Sequence, residues 1–417
     1  MTRNIEFDLI QKLNEKNRNE NIVFSPIGLE IVLSLSSNGA EGETQKEILK
    51  VLNCKDIEKA NETSKSIIKE FEKNKEVLVI ANSILTKIRA KENFIKKGCE
   101  YDAKIEELKN YRQVNDWAKK KTKNNINKII DKLDDNIYMI LLNALYFESF
   151  WDKKFDPQMN QNMDFLNYND EKQISKVKMM FKSGERLNYY ENNNLQAVKL
   201  NYEEKAKSIN AIVILPNKEI HIDALIKQFN YEMYEEIING LKEKKVNLYI
   251  PQFEIEFKIN MNEILEDLGI KRAFTKDAEF KGICEKIPLF IGKVLQKNYI
   301  NVNEEGTQAS SITEVDYVYE CSKSKDENSI DFIADRPFIF ILRNKNLPKG
   351  HDILFFSKLY KIEEDDDFYV GGNLHKYLGV EETKRLIDYT DQIYLDFGAD
   401  KHLEGIEYKE EVSEFIS

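Results

Sequence analysis

The run Tyr138–Phe147 (YMILLNALYF) constrains this chain more than any other segment. It carries no charge, and it is about half the ~20 apolar residues that a membrane helix needs. It also lacks the apolar–polar alternation of a strand with one wet face. The pattern fits a strand buried on both faces, so the chain must build a sheet covered on both sides. Asn143 lies in the middle of the run. Its amide must find partners there, because an unpaired buried amide costs about 1–3 kcal/mol on protein scales. Apolar residues make up 41% of the 417 positions, enough to supply the core that such a sheet demands.

The flanking pattern mixes helices and strands without βαβ regularity, which points to an α+β fold. Residues 4–18 place Ile5, Leu9 and Leu13 at helical spacing, with Phe7 and Ile10 widening the stripe. Residues 21–25 form a short apolar strand that Pro26 stops. Pro26 then suits a first helical turn, and an almost wholly apolar helix follows over 27–38. Further helices are expected over 43–52, 60–75, 92–101, 114–133, 222–243 and 260–269, with Gly269 ending the last. Further strands are expected over 77–85, 196–200, 209–215, 246–257, 291–302, 338–342 and 353–362. The 114–133 helix carries Lys119, Lys120, Lys121, Lys123 and Lys128 around its apolar stripe. A solvated face explains them better than a polyanion site, since acidic residues follow at once and no aromatics interleave.

Several function classes are disfavoured or leave no visible trace. The net charge of −11 argues against a nucleic-acid binder. No stretch approaches 18 apolar residues, so no membrane span is expected. The first twenty residues lack the apolar core of a secretory signal, which suggests a cytoplasmic protein and leaves unconventional secretion open. Four cysteines (Cys54, Cys99, Cys284, Cys321) at wide spacing form neither a disulfide framework nor a zinc pattern, and a reducing compartment fits them. Only four histidines occur, and no H-E-x-x-H, P-loop or G-x-S-x-G sequence is present. No catalytic, cofactor or metal site is therefore expected.

Residues 303–335 are unusual. They lie between two convincing strands and span a length that is rare for a loop unless it is functional or disordered. Yet Thr307 to Asp331 contain neither Gly nor Pro. The first half alternates. Thr307, Ala309, Ser311, Thr313, Val315, Tyr317 and Tyr319 fall on one side, small at first and uncharged throughout. Gln308, Ser310, Ile312, Glu314, Asp316, Val318 and Glu320 fall on the other and are mostly polar or acidic. This is the period-two signature of a half-buried strand. It suits a strand awaiting insertion, and equally the edge strand of an ordinary hairpin.

At this point the sequence resembles the serpins, from about residue 4 to 364. Residues 21–26 (NIVFSP) resemble the family's strand-to-helix entry, and 39–44 (GAEGET) the turn after that helix. Residues 143–147 (NALYF), Trp151 and 155–157 (FDP) resemble the central-sheet strand and its sequel. Residues 177–180 (VKMM), 332–338 (FIADRPF) and 353–356 (ILFF) resemble further family elements. Residues 302–307 (VNEEGT), followed by Ala309, Ser310 and Ser311, are similar to the hinge of the reactive-centre loop.

The resemblance implies a fold of three β-sheets with eight or nine helices in one domain, a metastable native state, and a reactive-centre loop over about 304–331. For inhibitory members it also implies suicide-substrate inhibition. A protease attacks the loop and forms an acyl-enzyme, and the cut loop then inserts into the central sheet and displaces the protease. About 14 residues of strand span roughly 45 Å. The target protease is the implied partner, bound covalently by a monomer. The hinge residues would be Glu304, Glu305, Gly306, Thr307, Gln308, Ala309, Ser310 and Ser311. Small, uncharged inward positions there favour an inhibitor over a non-inhibitory member acting as chaperone, storage or scaffold. Ser25, Asn143, Trp151 and Gln296 fall at the positions that control sheet opening. The family usually has a second Ser and a His at two of these places, where this chain has Gly28 and Gln296. Gln296 can still donate and accept hydrogen bonds. Family spacing puts the scissile bond at Glu320–Cys321, with Tyr319, Lys323, Lys325 and Asp326 as alternatives.

Residues 365–417 extend past the family's usual end. They hold 14 Asp+Glu against 5 Lys+Arg, which leaves the body nearly neutral, with 59 acids against 57 bases. The acidic net charge thus belongs mostly to an appendix. It could act as an interaction segment, a small subdomain or a disordered tail. The argument against polyanion binding weakens for the body accordingly.

Overall fold

The computed structural model describes residues 4–121, 128–133, 137–167, 174–308, 326 and 328–362. The extension at 365–417 lies outside the described residues. Strand Met139–Phe147 is buried at every position. Met139, Leu141, Leu145 and Phe147 face the main core. Ile140, Leu142 and Ala144 face a second core, which Val114, Trp117 and Ala118 of helix Tyr111–Lys121 close from outside. The uninterrupted apolar run is thus explained by cover on both faces.

This strand lies at the heart of a seven-stranded sheet. Its order is Ala103–Glu107, Leu78–Thr86, Met139–Phe147, Lys293–Val302, Gly306–Gln308 and Ser149–Phe150, with Phe253–Asn260 on the other edge of Lys293–Val302. The remaining nine strands form one hydrogen-bonded network. Within it, the 18-residue strand Ile174–Glu191 pairs along one edge with Lys242–Pro251. Its other edge is shared by Gln161–Leu166 and Leu195–Asn201. One long strand therefore continues from one sheet into the next, and an expectation of three sheets appears as two networks. Nine α-helices occur among the described residues, giving the expected α+β class.

Helix Pro26–Ser37 is buried at all its positions. Pro26 occupies its first turn, where a missing N–H costs nothing. The Ser25 hydroxyl caps it by accepting from Gly28 N at 3.1 Å. Gly269 ends helix Asn262–Leu268 with φ +117°, a left-handed conformation suited to glycine.

Three sequence-based elements differ. The expected 114–133 helix is described only as Tyr111–Lys121. Ile129 and Ile130 reach the same core from a non-helical segment, because Asn115 Oδ1 accepts from both their N–H groups at 2.7 and 3.0 Å. The 222–243 helix is two helices, Ile222–Gln228 and Tyr231–Gly240, and Asn230 caps the second. The 246–257 strand breaks at Pro251, where Lys242–Pro251 leaves one sheet and Phe253–Asn260 enters the other.

Candidate functional site

Strands Met139–Phe147 and Lys293–Val302 run parallel but pair over a short stretch only, Ile140–Asn143 against Lys293–Gln296. Further along, the chain turns back at residues 303–305 and Gly306–Gln308 enters the same sheet. Thr307 lies opposite both Val302 and Ser149, and Gly306 opposite Phe150. Between these two zones, Ala144–Phe147 and Lys297–Ile300 have strand partners on their outer edges only, among the described residues. Four residues per side, about 13 Å of strand, make a slot with no partner among the described residues.

The turn feeding the slot is tightly held. Asn303 Oδ1 accepts from Glu305 N and Gly306 N at 3.0 and 3.2 Å. Trp151 donates twice, from its backbone N to Glu305 O at 2.8 Å and from Nε1 to Asn303 O at 2.9 Å. The Trp151 ring stacks on Tyr202 at 4.7 Å. Tyr202 Oη shares a 2.6 Å hydrogen bond with Thr307 Oγ1 in a fully buried setting. Burial pushes the Tyr202 hydroxyl far above the ordinary phenol range, so it stays neutral. Glu304 is buried, and its carboxylate accepts from Asn160 and Gln252, with Lys178 at 4.0 Å. A Cβ on Gly306 would lie 2.1 Å from Ser149 O, so glycine is required for this close pairing.

Below the slot lies a ladder of amides. Gln296, Asn143 and Asn82 sit side by side on three neighbouring strands. Gln296 Oε1 accepts from Ser25 N at 3.0 Å, while its Nε2 donates to Ser25 O at 2.8 Å and Asn143 Oδ1 at 2.7 Å. Asn143 Nδ2 donates to Asn82 Oδ1 at 2.9 Å. All four residues are at most 2% exposed. The Asn143 amide also fills the space beside Gly28, where a Cβ would meet Oδ1 at 2.2 Å. Asn143 thus occupies the space that a side chain at position 28 would need, and Gln296 joins Ser25 to Asn143 through an amide that carries no charge.

Of the residues singled out from sequence, Ser25, Asn143 and Gln296 meet in the amide ladder, and Trp151 contacts the turn formed by Asn303, Glu304, Glu305, Gly306 and Thr307. Backbone pairing extends to Gln308. Ala309, Ser310, Ser311, Tyr319, Glu320, Cys321, Lys323 and Lys325 lie outside the described residues. Asn82, Tyr202 and Asn303 belong to the site and were not singled out from sequence. Asn82 carries the same signal as Asn143, a lone amide in an apolar strand. Tyr202 and Asn303 offer no such signal. Among the described residues, no group of acidic, His or Cys side chains is placed to hold a metal, and no helix is long and apolar enough to cross a membrane.

Two hydrogen-bonded sheet networks, nine helices among the described residues, and Gly306–Gln308 paired between Lys293–Val302 and Ser149–Phe150 define an α+β protein. The chain belongs to the serpin family. The family model described as Serpin (serine protease inhibitor) matches residues 2–362. Human neuroserpin is 26% identical, the match covering 85% of this chain and 89% of that protein. Human serpin B8 is 28% identical, with 84% and 95% covered. The native-state structure of Tengpin, a thermophilic serpin, is 28% identical with a TM-score of 0.75, covering 86% of this chain and 93% of that one.

Proposed function

We propose that this chain is a suicide-substrate inhibitor of a serine or cysteine protease. The observation that carries the reading is the seating of Gly306–Gln308 between Lys293–Val302 and Ser149–Phe150, with Thr307 uncharged and buried. The protease nucleophile attacks a loop carbonyl, the peptide C–N bond breaks and the amine of the next residue leaves, and the N-terminal part stays bound to the enzyme as an ester of serine or a thioester of cysteine. Continued insertion from Gln308 then gives strand partners to Ala144–Phe147 and Lys297–Ile300, and this gain pulls the acyl-enzyme along the sheet. The scissile bond is assigned to Glu320–Cys321, with Tyr319, Lys323 and Lys325 as alternative recognition residues. The free thiols of Cys54, Cys99 and Cys284 suit a cytoplasmic setting.

The test is incubation with a panel of proteases of different specificity. An SDS-stable covalent complex is expected, and the N-terminus of the released C-terminal peptide identifies the bond. Cleavage without a complex, and without a gain in thermal stability, would leave a non-inhibitory serpin.

A further inference from the structure

The pairing of Lys242–Pro251 with Ile174–Glu191 shifts register between Val246 and Leu248, so that Ser183 and Gly184 on the longer strand face the single residue Asn247. Such a bulge bends its strand locally. The Asn247 side chain that faces it is fully buried and makes three hydrogen bonds. Its Oδ1 accepts from Gly184 N at 3.0 Å. Its Nδ2 donates to Asp331 Oδ1 and to Asp326 O, both at 2.9 Å. Asp326 is the position at which the described chain resumes beyond the loop. It makes further contacts of its own. Its N donates to Ser183 Oγ at 3.1 Å, its Oδ1 accepts from Asn328 N at 3.0 Å, and its Oδ2 faces Lys245 Nζ at 3.4 Å. Gly184 has φ +58°, and a Cβ there would come within 2.9 Å of Asp326 Oδ2. The aspartate is packed directly against the glycine turn.

We propose that Asn247 is a clamp for the far end of the loop, holding Asp326 on the Ser183–Gly184 turn. The stretch a protease can engage is then bounded by Gln308 on one side and Asp326 on the other. A protease must draw several residues around a bond into its cleft. The bond after Asp326 is withheld from enzymes that read acidic residues. The clamp is a positioning device. Its bearing on protease choice rests on the inhibitor reading, but its geometry does not.

The test is timed digestion of the full chain with an endopeptidase that cuts after both Glu and Asp, with fragment masses read by mass spectrometry. In the native wild type, cleavage after Asp326 is expected to be at least about tenfold slower than in urea-unfolded chain, because cleavage tracks the open population. Asn247→Ala removes all three side-chain hydrogen bonds, the one to Asp326 O among them, and should raise that rate about tenfold or more. Ser183→Ala keeps the buried amide, so it guards against a folding defect, and should raise the rate by a smaller factor. Rapid cleavage after Asp326 in the native wild type would overturn the clamp. So would rates left unchanged in both variants. A protected Asp326 with no covalent complex on any protease would sink the inhibitor reading and leave the clamp standing.

Discussion

Replacing Gly28 by Ala sets two effects against each other. Glycine inside a helix costs about 1 kcal/mol relative to alanine, so the substitution should stabilise helix Pro26–Ser37 on propensity alone. The new methyl, however, would lie 2.2, 2.5 and 2.6 Å from Oδ1, Nδ2 and Cγ of Asn143. Ordinary contact requires the amide to retreat by roughly 1.2 Å. A retreat of that size should break both bonds of Asn143, to Gln296 (2.7 Å) and to Asn82 (2.9 Å). Losing two buried bonds, each worth about 1–3 kcal/mol once a partner is stranded, outweighs the helical gain. The expected result is a net loss of about 3 kcal/mol, read as a lower midpoint for the first urea transition. The same substitution placed on an Asn143→Ala background should change sign, because the obstacle is gone and only the propensity gain remains. A G28A variant as stable as the wild type, or an equal loss in both backgrounds, would refute the assignment of Asn143 to the glycine socket.

Three further outcomes follow from the geometry. Trp151→Phe keeps an aromatic ring against Tyr202 but removes the Nε1 donor to Asn303 O, so the amides of 303–308 should exchange faster, by an opening cost reduced about 1–2 kcal/mol; unchanged exchange would contradict it. Lys297→Met removes the donor to Lys128 O and the ion partner of Glu256, and should lower stability by about 1–2 kcal/mol while loosening the 128–130 segment to hydrogen exchange. Stability should also fall as pH rises. Burial, reinforced by Asp352 and Glu30, holds the Glu6 carboxyl well above its usual range, against the opposing pull of Ile353 N–H and Arg343. For His351, burial acts downward but the Glu30 carboxylate at 2.8 Å outweighs it, so the net shift is upward. Both groups hold protons more tightly when folded. Their contributions are complete below the unfolded values of about 4.5 and 6.5 and fade as pH climbs through the folded ones, at up to about 1.4 kcal/mol per unit for each group. Glu6→Gln should remove its share of this slope in denaturant titrations between pH 5 and 9, and an unaltered slope would contradict the assignment.

The segments that were legible in the sequence are those whose environment is uniform. Tyr138–Phe147 is apolar throughout because both faces are covered, and Asn143 stands out against that background. Where an apolar stripe crosses a change of element, periodicity misleads. Ile129 and Ile130 continue the spacing of Val114 and Trp117, yet they reach the core through a loop that Asn115 holds. The strands Gln161–Leu166 and Ile174–Glu191 give no clear period-two signal, because polar and charged residues occupy most of their length. At the candidate site, small residues after Gly306 and the lone amide in the central strand were visible. The placing of Asn247 opposite a bulge was not, since a register shift leaves no mark in a single sequence.

The sequence by itself determined that a doubly covered strand must exist, that residues 303–335 are too long and too patterned for a simple connection, and that the negative charge is concentrated at the end of the chain. Tertiary structure alone decided which polar groups meet. Gln296 finds Ser25 and Asn143 at separations of 271 and 153 residues, and Asn143 finds Asn82 across 61. These meetings depend on sheet register, where a slip of one residue turns each amide to the opposite face. The slot between Ala144–Phe147 and Lys297–Ile300 has the same origin. Among the described residues, these two stretches are paired on their outer edges only.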